Sequence, residues 1–493
     1  MDFTKLSLKR DGSEPLYLQL LAALEEAVRA GALEAGERLP SERELAARLG
    51  LSRTTVAGAY RELEARGLVR SHVGRGTFVC ATPEAADAPF AWRGKVSASV
   101  AYFGYSHSLR HLMLSGLSPG VISFAAGAPA FECFPIEDYL RFTEHALRRH
   151  ASVALGIAPT EGQPRLRRAV GERFNTKAER VLILSGSQQG IDLIARCLID
   201  AGDYVVVDRP GYVGAIQTFR AAGANLVGWD TARASLDELE DLLVRYRPKL
   251  IYTDPTFQNP TGRVMSLRER QDLLKLAARY HTPVVEDDPW SETYLDATPP
   301  PPPLYHLDAH NIVIHLGTFS KTLAPGLRLG WLAASEYIVD QLTLIKQHEN
   351  LFTEGLGQFV IADFLTSGRY DAHMDALRRE HARKRDLMRR ALERHARPRG
   401  LTFNQPRGGL HFWCRLPRGL EARAVLEAAV AEGVAFAPGE MFYPDAAGRD
   451  EIRLCFSSAP AERIEEGVAR LERALAAVAS KTSGRGQLNM PVV

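Results

Sequence analysis

Lys321 lies in the stretch Gly317-Thr318-Phe319-Ser320-Lys321-Thr322-Leu323-Ala324-Pro325-Gly326-Leu327-Arg328, directly after the apolar run NIVIHL at 311–316. A lysine at the exit of a buried strand, among hydroxyls and beside an arginine, suits Schiff-base chemistry with an aldehyde. Its ammonium must first lose a proton, and burial near other cations lowers the pKa that governs this step. The hydroxyls of Thr318 and Ser320 and the fork of Arg328 suit a phosphate. A lone lysine would be a structural or surface residue. The chemistry rests on the stretch as a whole.

Other segments supply what a cofactor ring bearing a phosphate needs. Ser185-Gly186-Ser187-Gln188-Gln189-Gly190 follows the run VLIL and opens a helix, whose amides and dipole favour an anion. Asp208-Arg209-Pro210-Gly211-Tyr212 follows YVVV and offers Tyr212 as a stacking ring. Asp254-Pro255-Thr256-Phe257-Gln258-Asn259 follows LIYT, and Asn259 can donate to a ring hydroxyl. Glu286-Asp287-Asp288-Pro289-Trp290 follows PVVE, where a carboxylate can hold a ring-nitrogen proton and keep the ring an electron sink. Each segment sits at the carboxyl end of an expected strand, where α/β sheets bind ligands.

The elements that must position these groups are legible as short apolar runs alternating with amphipathic helices from about Val121 to Val478. Near-continuous apolar strands between helices imply a sheet buried on both faces. The expected fold is α/β, with a mainly parallel sheet. Residues 81–115, rich in Ala, Pro, Ser and Gly, read as a linker between an N-terminal domain at 1–80 and a large domain at 116–480. The proline run at 299–303 reads as a rigid surface connector, and residues 481–493 as a disordered tail.

The first 80 residues carry a different pattern. Residues 15–30 place Leu16, Leu20, Leu21, Leu24 and Val28 at helical spacing. Ser41, with Glu44 three residues on, forms a capping box for ERELAARL, which stops at Gly50. Ser52 caps a third helix ending at Gly67. LVRSHV, Gly74-Arg75-Gly76 and TFVC then form a two-stranded hairpin. Two helices joined by a tight Gly-containing turn make a helix-turn-helix, and the hairpin is its wing. The third helix starts Ser52-Arg53-Thr54-Thr55, and recognition helices present their N-terminal residues to base edges. From 52 to 79, five arginines stand against two glutamates, a local surplus suited to phosphates.

Composition limits the alternatives. A net charge of +2 over 493 residues rules out a basic coat, so any DNA contact is local. Five dispersed cysteines (80, 133, 197, 414, 455) without a CxxC pair argue against a disulfide framework and against zinc, so no metal is expected. No apolar run approaches the roughly 20 residues of a membrane helix, and MDFTKLSLKRDGSEP has no apolar signal core. A cytoplasmic location and no membrane partner are expected.

The pattern PLYLQL…LPSERELA-x-x-LG-x-SR-T-T-V…GRGTFV resembles the GntR-type winged helix over residues 13–80. That resemblance implies DNA contacts at Arg43, Ser52, Arg53, Thr54, Thr55 and Gly74. Ala57 stands where relatives often carry a further contact. From about 121 to 478 the chain resembles fold-type I aminotransferases with a smaller C-terminal α+β subdomain. This resemblance implies pyridoxal 5'-phosphate bound covalently by Lys321 as the catalytic residue. It implies Asp287 on the pyridine nitrogen and Asn259 and Tyr212 at the ring. Gly186, Ser187, Gln188, Thr318, Ser320 and Arg328 would hold the phosphate, and Arg453 would clamp a substrate carboxylate. Trp290 and Ile157 stand where relatives tend to have tyrosines.

A GntR-type reader joined to an aminotransferase-like domain is the layout of the MocR/GabR regulators. That resemblance implies a homodimer, head-to-tail, bound to a double-stranded DNA operator and answering to a small amine or amino-acid effector. The effector exchanges with Lys321 on the cofactor and changes operator binding. Two other readings remain open: an aminotransferase with a 2-oxo acid acceptor and an appended DNA-binding domain, and a sensor of pyridoxal phosphate controlling vitamin B6 genes.

Overall fold

The computed structural model describes residues 15–29, 32–34, 36–72, 76–80, 97, 100, 118, 120–230, 233 and 235–487, with 482–487 by backbone alone. Gly31, the wing-tip residues Gly74 and Arg75, nearly all of 81–115, and 488–493 lie outside the described residues. The chain divides into two units, Met1–Val96 and Ser97–Val493.

In the first unit, α1 (Leu16–Arg29) buries Leu20, Leu21, Leu24 and Val28 on one stripe, as their spacing requires. Leu45 from α2 (Glu42–Leu49) and Val56, Ala59, Tyr60 and Leu63 from α3 (Arg53–Ala65) complete the core. Ser41 Oγ accepts from the Glu44 amide at 3.2 Å. The expected capping box is only half made, because the Glu44 carboxylate turns to Arg48, one helical turn on. Gly50 ends α2 at φ 61°, and the Ser52 hydroxyl starts α3 by accepting from Thr55 N at 3.1 Å. Tyr60 donates to the Pro40 carbonyl at 2.8 Å and pins α3 to the loop before α2. The wing pairs β1 (Val69–His72) with β2 (Gly76–Val79) antiparallel, Val69 opposite Val79.

The second unit contains β3 (Ile122–Ser123) and then a seven-stranded sheet of β4 (Val181–Leu184), β5 (Tyr204–Arg209), β6 (Asn225–Asp230), β7 (Leu250–Thr253), β8 (Val284–Asp287), β9 (Val313–Thr318) and β10 (Gly330–Ala333). The strand order is β4-β10-β9-β8-β7-β5-β6. β5 to β9 run parallel, and β10 is antiparallel to both its neighbours. β4 and β7 to β10 are buried at every residue, the signature of a sheet covered on both faces. Parallel strands send their carboxyl ends to one edge, and the expected site segments gather there.

A smaller four-stranded sheet joins β11 (Thr402–Phe403), β12 (His411–Arg415), β14 (Ala437–Pro438) and β15 (Glu451–Cys455) in the order β11-β12-β15-β14. β3 pairs parallel with β13 (Val434–Ala435), and the chain beyond it is tied to β15 by Cys455 N donating to Phe124 O at 2.8 Å. This pairing carries residues 125–128 to the site. The last helix runs Ile464–Gln487, continuing into the stretch expected as a tail from 481. Among the described residues, no helix is long and apolar enough to cross a membrane.

Candidate functional site

A cavity of about 460 Å³ opens at the carboxyl ends of the parallel strands. Ser187, Gln188, Tyr212, Asn259, Asp287, Thr318, Ser320, Lys321, Arg328 and Arg453 all line it, drawn from segments far apart in sequence. Gly186 precedes them at the mouth of the helix Ser187–Leu198. A larger groove of about 780 Å³ borders the opposite ends of the strands, near Val313 and Ala334. Its basic residues Lys275 and Arg279 are paired with Asp272 and Glu240, and no expected site residue lies there.

Lys321 leaves β9 through a tight turn in which Ser320 N donates to Thr318 Oγ1 at 3.1 Å. Its Nζ donates to the Gly127 carbonyl at 2.5 Å and lies 5.6 Å from the Trp290 ring centroid. The side chain faces the cavity while its ammonium is withdrawn from bulk water. Burial lowers its pKa to about 8; repulsion from Arg453 and Arg328 works in the same direction, and Asp287 works against it.

Asp287, at the end of β8, faces the same cavity. Its Oδ2 accepts from the Tyr252 hydroxyl, while its buried Oδ1 has no partner among the described residues. Burial raises its pKa to about 6 against the lowering effect of Tyr252. A buried carboxyl oxygen without a donor fits a protonated ring nitrogen. Asn259 is held by its amide N–H to Asp254 Oδ2 at 2.9 Å, and its Oδ1 accepts from Arg453 Nη1 at 2.9 Å. The loop carrying Asn259 is anchored by fully buried Arg270, which donates to Pro255 O at 3.0 Å and Thr256 Oγ1 at 2.8 Å. Tyr212 donates to Gln188 Oε1 at 3.0 Å, and burial raises its pKa to about 12.

The end of the cavity expected to take a phosphate is built around Gly186. Its φ 93° and ψ 155° belong to a region open essentially to glycine alone. A Cβ there would stand 2.4 Å from Arg328 Nη2, which donates to Ser185 O at 3.1 Å. The guanidinium therefore rests against a bare backbone at a helix N-terminus, a combination that favours an anion. Gly186→Ala is expected to cost about 1–3 kcal/mol and to displace Arg328. Thermal unfolding and retention of cofactor on gel filtration measure the two effects.

Arg453 projects from β15 into the cavity. It donates to Ala125 O at 2.6 Å as well as to Asn259, while its Nε is buried without a partner. Among the described residues it forms no ion pair, and burial lowers its pKa to about 10, still charged at neutral pH. Two further lining residues escaped the sequence reading. His411 opens β12, HFWCR, and its side chain lines the cavity. Asp254 reads as part of a turn, yet its Oδ2 takes the Trp290 indole N–H at 3.2 Å and its Oδ1 is buried without a partner. Burial and the neighbouring Asp287 hold the Asp254 pKa well above the usual carboxyl range.

In the first unit, Arg43, Ser52, Arg53 and Thr54 are exposed and Thr55 is half-buried. The Ser52 hydroxyl is shared with Thr54 Oγ1 and Thr55 Oγ1, both at 2.8 Å, so it organises the helix start. Arg66 is drawn into an ion pair with Glu25 and leaves the basic surplus. Gly74 lies outside the described residues. Gly76 has φ 105°, and a Cβ there would stand 2.7 Å from Arg38 Nε, which places that guanidinium at the wing base.

The chain matches the family described as aminotransferase class I and II over residues 119–471, and the gntR family of bacterial regulatory proteins over 16–79. It is 37% identical to a 2-aminoadipate transaminase of Thermus thermophilus, over 75% of this chain and 93% of that protein. It is 31% identical to the probable rhizopine catabolism regulatory protein MocR of Rhizobium meliloti, over 96% of this chain and 97% of that protein. Among solved structures, the alpha-aminoadipate aminotransferase LysN of Thermus thermophilus, complexed with N-(5'-phosphopyridoxyl)-L-leucine, is similar at a TM-score of 0.75 and 35% identity. That likeness covers 79% of this chain and 100% of LysN.

Proposed function

We propose a function from the premise that this chain belongs to the aminotransferase class I and II family and, with its gntR-family reader, to the MocR-type regulators. It is a pyridoxal-phosphate-dependent DNA-binding regulator whose cofactor site receives an amine or amino-acid effector. The observation that carries this reading is the pairing, in one cavity, of Lys321 with the buried guanidinium of Arg453, which forms no ion pair among the described residues and whose Nε has no hydrogen-bond partner among them. The same chain presents Arg53 and Thr54 exposed at the start of a recognition helix.

Pyridoxal phosphate supplies an aldehyde that captures amines and a protonated ring that draws electrons. Lys321 would hold that aldehyde carbon, and its lowered pKa leaves part of the amine of the unliganded protein unprotonated, as capture of an aldehyde requires, at neutral pH. Asp287 keeps the ring-nitrogen proton in place. Gly186, Ser187, Gln188, Thr318, Ser320 and Arg328 seat the phosphate, and Asn259 and Tyr212 fix the ring. With the cofactor bound, Lys321 would yield its place to an effector amine, and Arg453 stands in the same cavity to receive a carboxylate. Both Lys321 and Arg453 donate to residues 125–128, so a change in the charge state or pairing of either would alter the packing of that segment. Operator affinity follows half-site spacing, so an effector that favours one arrangement switches DNA binding.

The working unit in this reading is a cytoplasmic, head-to-tail homodimer. Ile157 is 89% exposed and Leu155 68% exposed, an apolar surface that a second copy would cover. Trp290 donates to Asp254 where relatives tend to carry a tyrosine near the ring hydroxyl, which favours ligand exchange over fast turnover.

Fluorescence anisotropy on DNA from upstream of the gene tests the reading. The cofactor-loaded protein is expected to bind, and its affinity is expected to change with amino acids or amines. Rapid transamination of an amino acid with 2-oxoglutarate, without DNA binding, would replace the regulator by an enzyme. A DNA response to cofactor alone, indifferent to every amine, would make it a vitamin B6 sensor.

A further inference from the structure

His411 and Arg453 reach the cavity from neighbouring strands of the small sheet. β12 and β15 pair antiparallel with His411 opposite Cys455 and Trp413 opposite Arg453. Residues two apart on a strand share a face. His411, opposite Cys455, therefore lies on the face that carries Arg453, one pair along. Both side chains line the cavity that holds Lys321.

The segment 125–128 fixes where His411 lies between the two cations. Gly127 O accepts from Lys321 Nζ, and Ala125 O accepts from Arg453 Nη2. A Cβ on Gly127 would meet His411 Cε1 at 3.0 Å and Nε2 at 3.1 Å, so the imidazole edge packs under the residue that bridges to Lys321. The ring is further set by Trp290, edge to face at 5.3 Å between centroids. His411 is 5% exposed. Burial, reinforced by Arg453 and Lys321, holds its pKa well below the imidazole range. A neutral imidazole offers one N–H donor without adding a third positive charge.

We infer that His411 is a specificity-determining residue: with Arg453 it holds the effector's carboxylate, its ring N–H donating to one carboxylate oxygen. This rests on the effector reading given above. An α-amino acid whose amine replaces Lys321 spans from that lysine towards Arg453, and His411 lies along this path. The ligand class is an amino acid with a free carboxylate, preferred over the amine formed by its decarboxylation.

Spectral titration of the cofactor-loaded full-length protein tests this with matched pairs: L-leucine against 3-methylbutylamine, and L-phenylalanine against 2-phenylethylamine. Wild-type protein is expected to prefer the acids. H411F keeps a ring of similar shape and removes the donor, and its acid-over-amine preference is expected to fall about tenfold, the worth of one hydrogen bond to a charged group. H411Q, which keeps a donor at similar reach, is expected to retain most of the preference. Wild-type preference surviving in H411F overturns the role of His411 alone, and equal loss in H411F and H411Q overturns the hydrogen bond. If the wild-type protein itself does not favour the acids, the carboxylate role of Arg453 fails first, and that of His411 with it.

Discussion

Lys321→Ala protein is expected to take up pyridoxal phosphate without the visible absorption band of the covalently held cofactor. The expectation follows from the position of one amine. Lys321 Nζ is the lysine nitrogen of the cavity, and its pKa lies at about 8. At pH 7 roughly a tenth of such an amine is free, against about 1 part in 3,000 for an ordinary lysine. Capture of the cofactor by wild-type apo-protein is therefore expected to quicken as the pH rises towards about 8 and to level off above it. A solvent-exposed lysine would give a rise continuing past pH 10. Stopped-flow absorbance between pH 6 and pH 10 separates the two profiles. The same lowered pKa has a stability consequence. Between about 8 and the unfolded value the unfolded chain binds the proton and the folded chain does not, so apo-protein stability gains from Lys321 as the pH rises through that window. A Lys321→Ala protein that retains the band, or a rate that climbs without a plateau, would sink the assignment.

The strands that carry this chemistry were legible because they are buried on both faces and therefore read as unbroken apolar runs. VLIL, YVVV, LIYT, PVVE and NIVIHL all become strands of the large sheet, three of them shifted or extended by a residue or two at their ends. Two other strands were not visible. β6, NLVGWD, mixes Asn, Gly and Asp into an edge position, where pairing with β5 alone makes it a strand. β10, GWLA, follows the lysine stretch so closely that it reads as its continuation. Its place between β4 and β9 is decided by long-range pairing. The last helix passes through KTSGRGQ, a sequence of weak helix formers, as an extension of well-packed turns before it.

The site divides in the same way. Gly186, Lys321 and Arg328 are legible because backbone geometry and phosphate chemistry demand those residue types at those places. His411 and Asp254 are not, because nothing in HFWCR or DPTFQ separates a cavity-facing polar group from a satisfied core or turn residue. His411 gains its meaning only when β12 is laid against β15, and Asp254 only when Trp290 is brought across to it. The departure at Trp290 is likewise incomplete as a sequence fact. The indole N–H at this position is directed by the structure to Asp254, another residue lining the cavity.

Arg453→Met is expected to lower affinity for amino-acid effectors by about 100-fold while leaving the folded protein nearly as stable. The two halves of this expectation have one cause. Arg453 is 8% exposed, forms no ion pair among the described residues and keeps a buried Nε without a partner. Its bonds to Ala125 O and Asn259 Oδ1 satisfy donors but do not neutralise charge. Burying a guanidinium without its anion costs free energy, so an apolar side chain of similar length should fold to within about 1 kcal/mol of wild type. Arg270 provides the contrast. It is fully buried, donates to Met265 O, Pro255 O and Thr256 Oγ1 and stands 3.8 Å from Glu286, so Arg270→Met is expected to cost about 3–5 kcal/mol by leaving those buried acceptors without their donor and removing a cation beside Glu286, which keeps His315 and the Leu304 and Tyr305 amides. An effector carboxylate, by contrast, gives the Arg453 guanidinium its first counter-charge. Losing that desolvated pair is worth about 3 kcal/mol, the 100-fold in affinity. Chemical denaturation of the apo-protein and spectral titration of the loaded protein read the two halves separately. An Arg453→Met protein that unfolds as readily as Arg270→Met, yet binds amino acids with the wild-type constant, would make Arg453 a structural residue and leave the effector without its anchor.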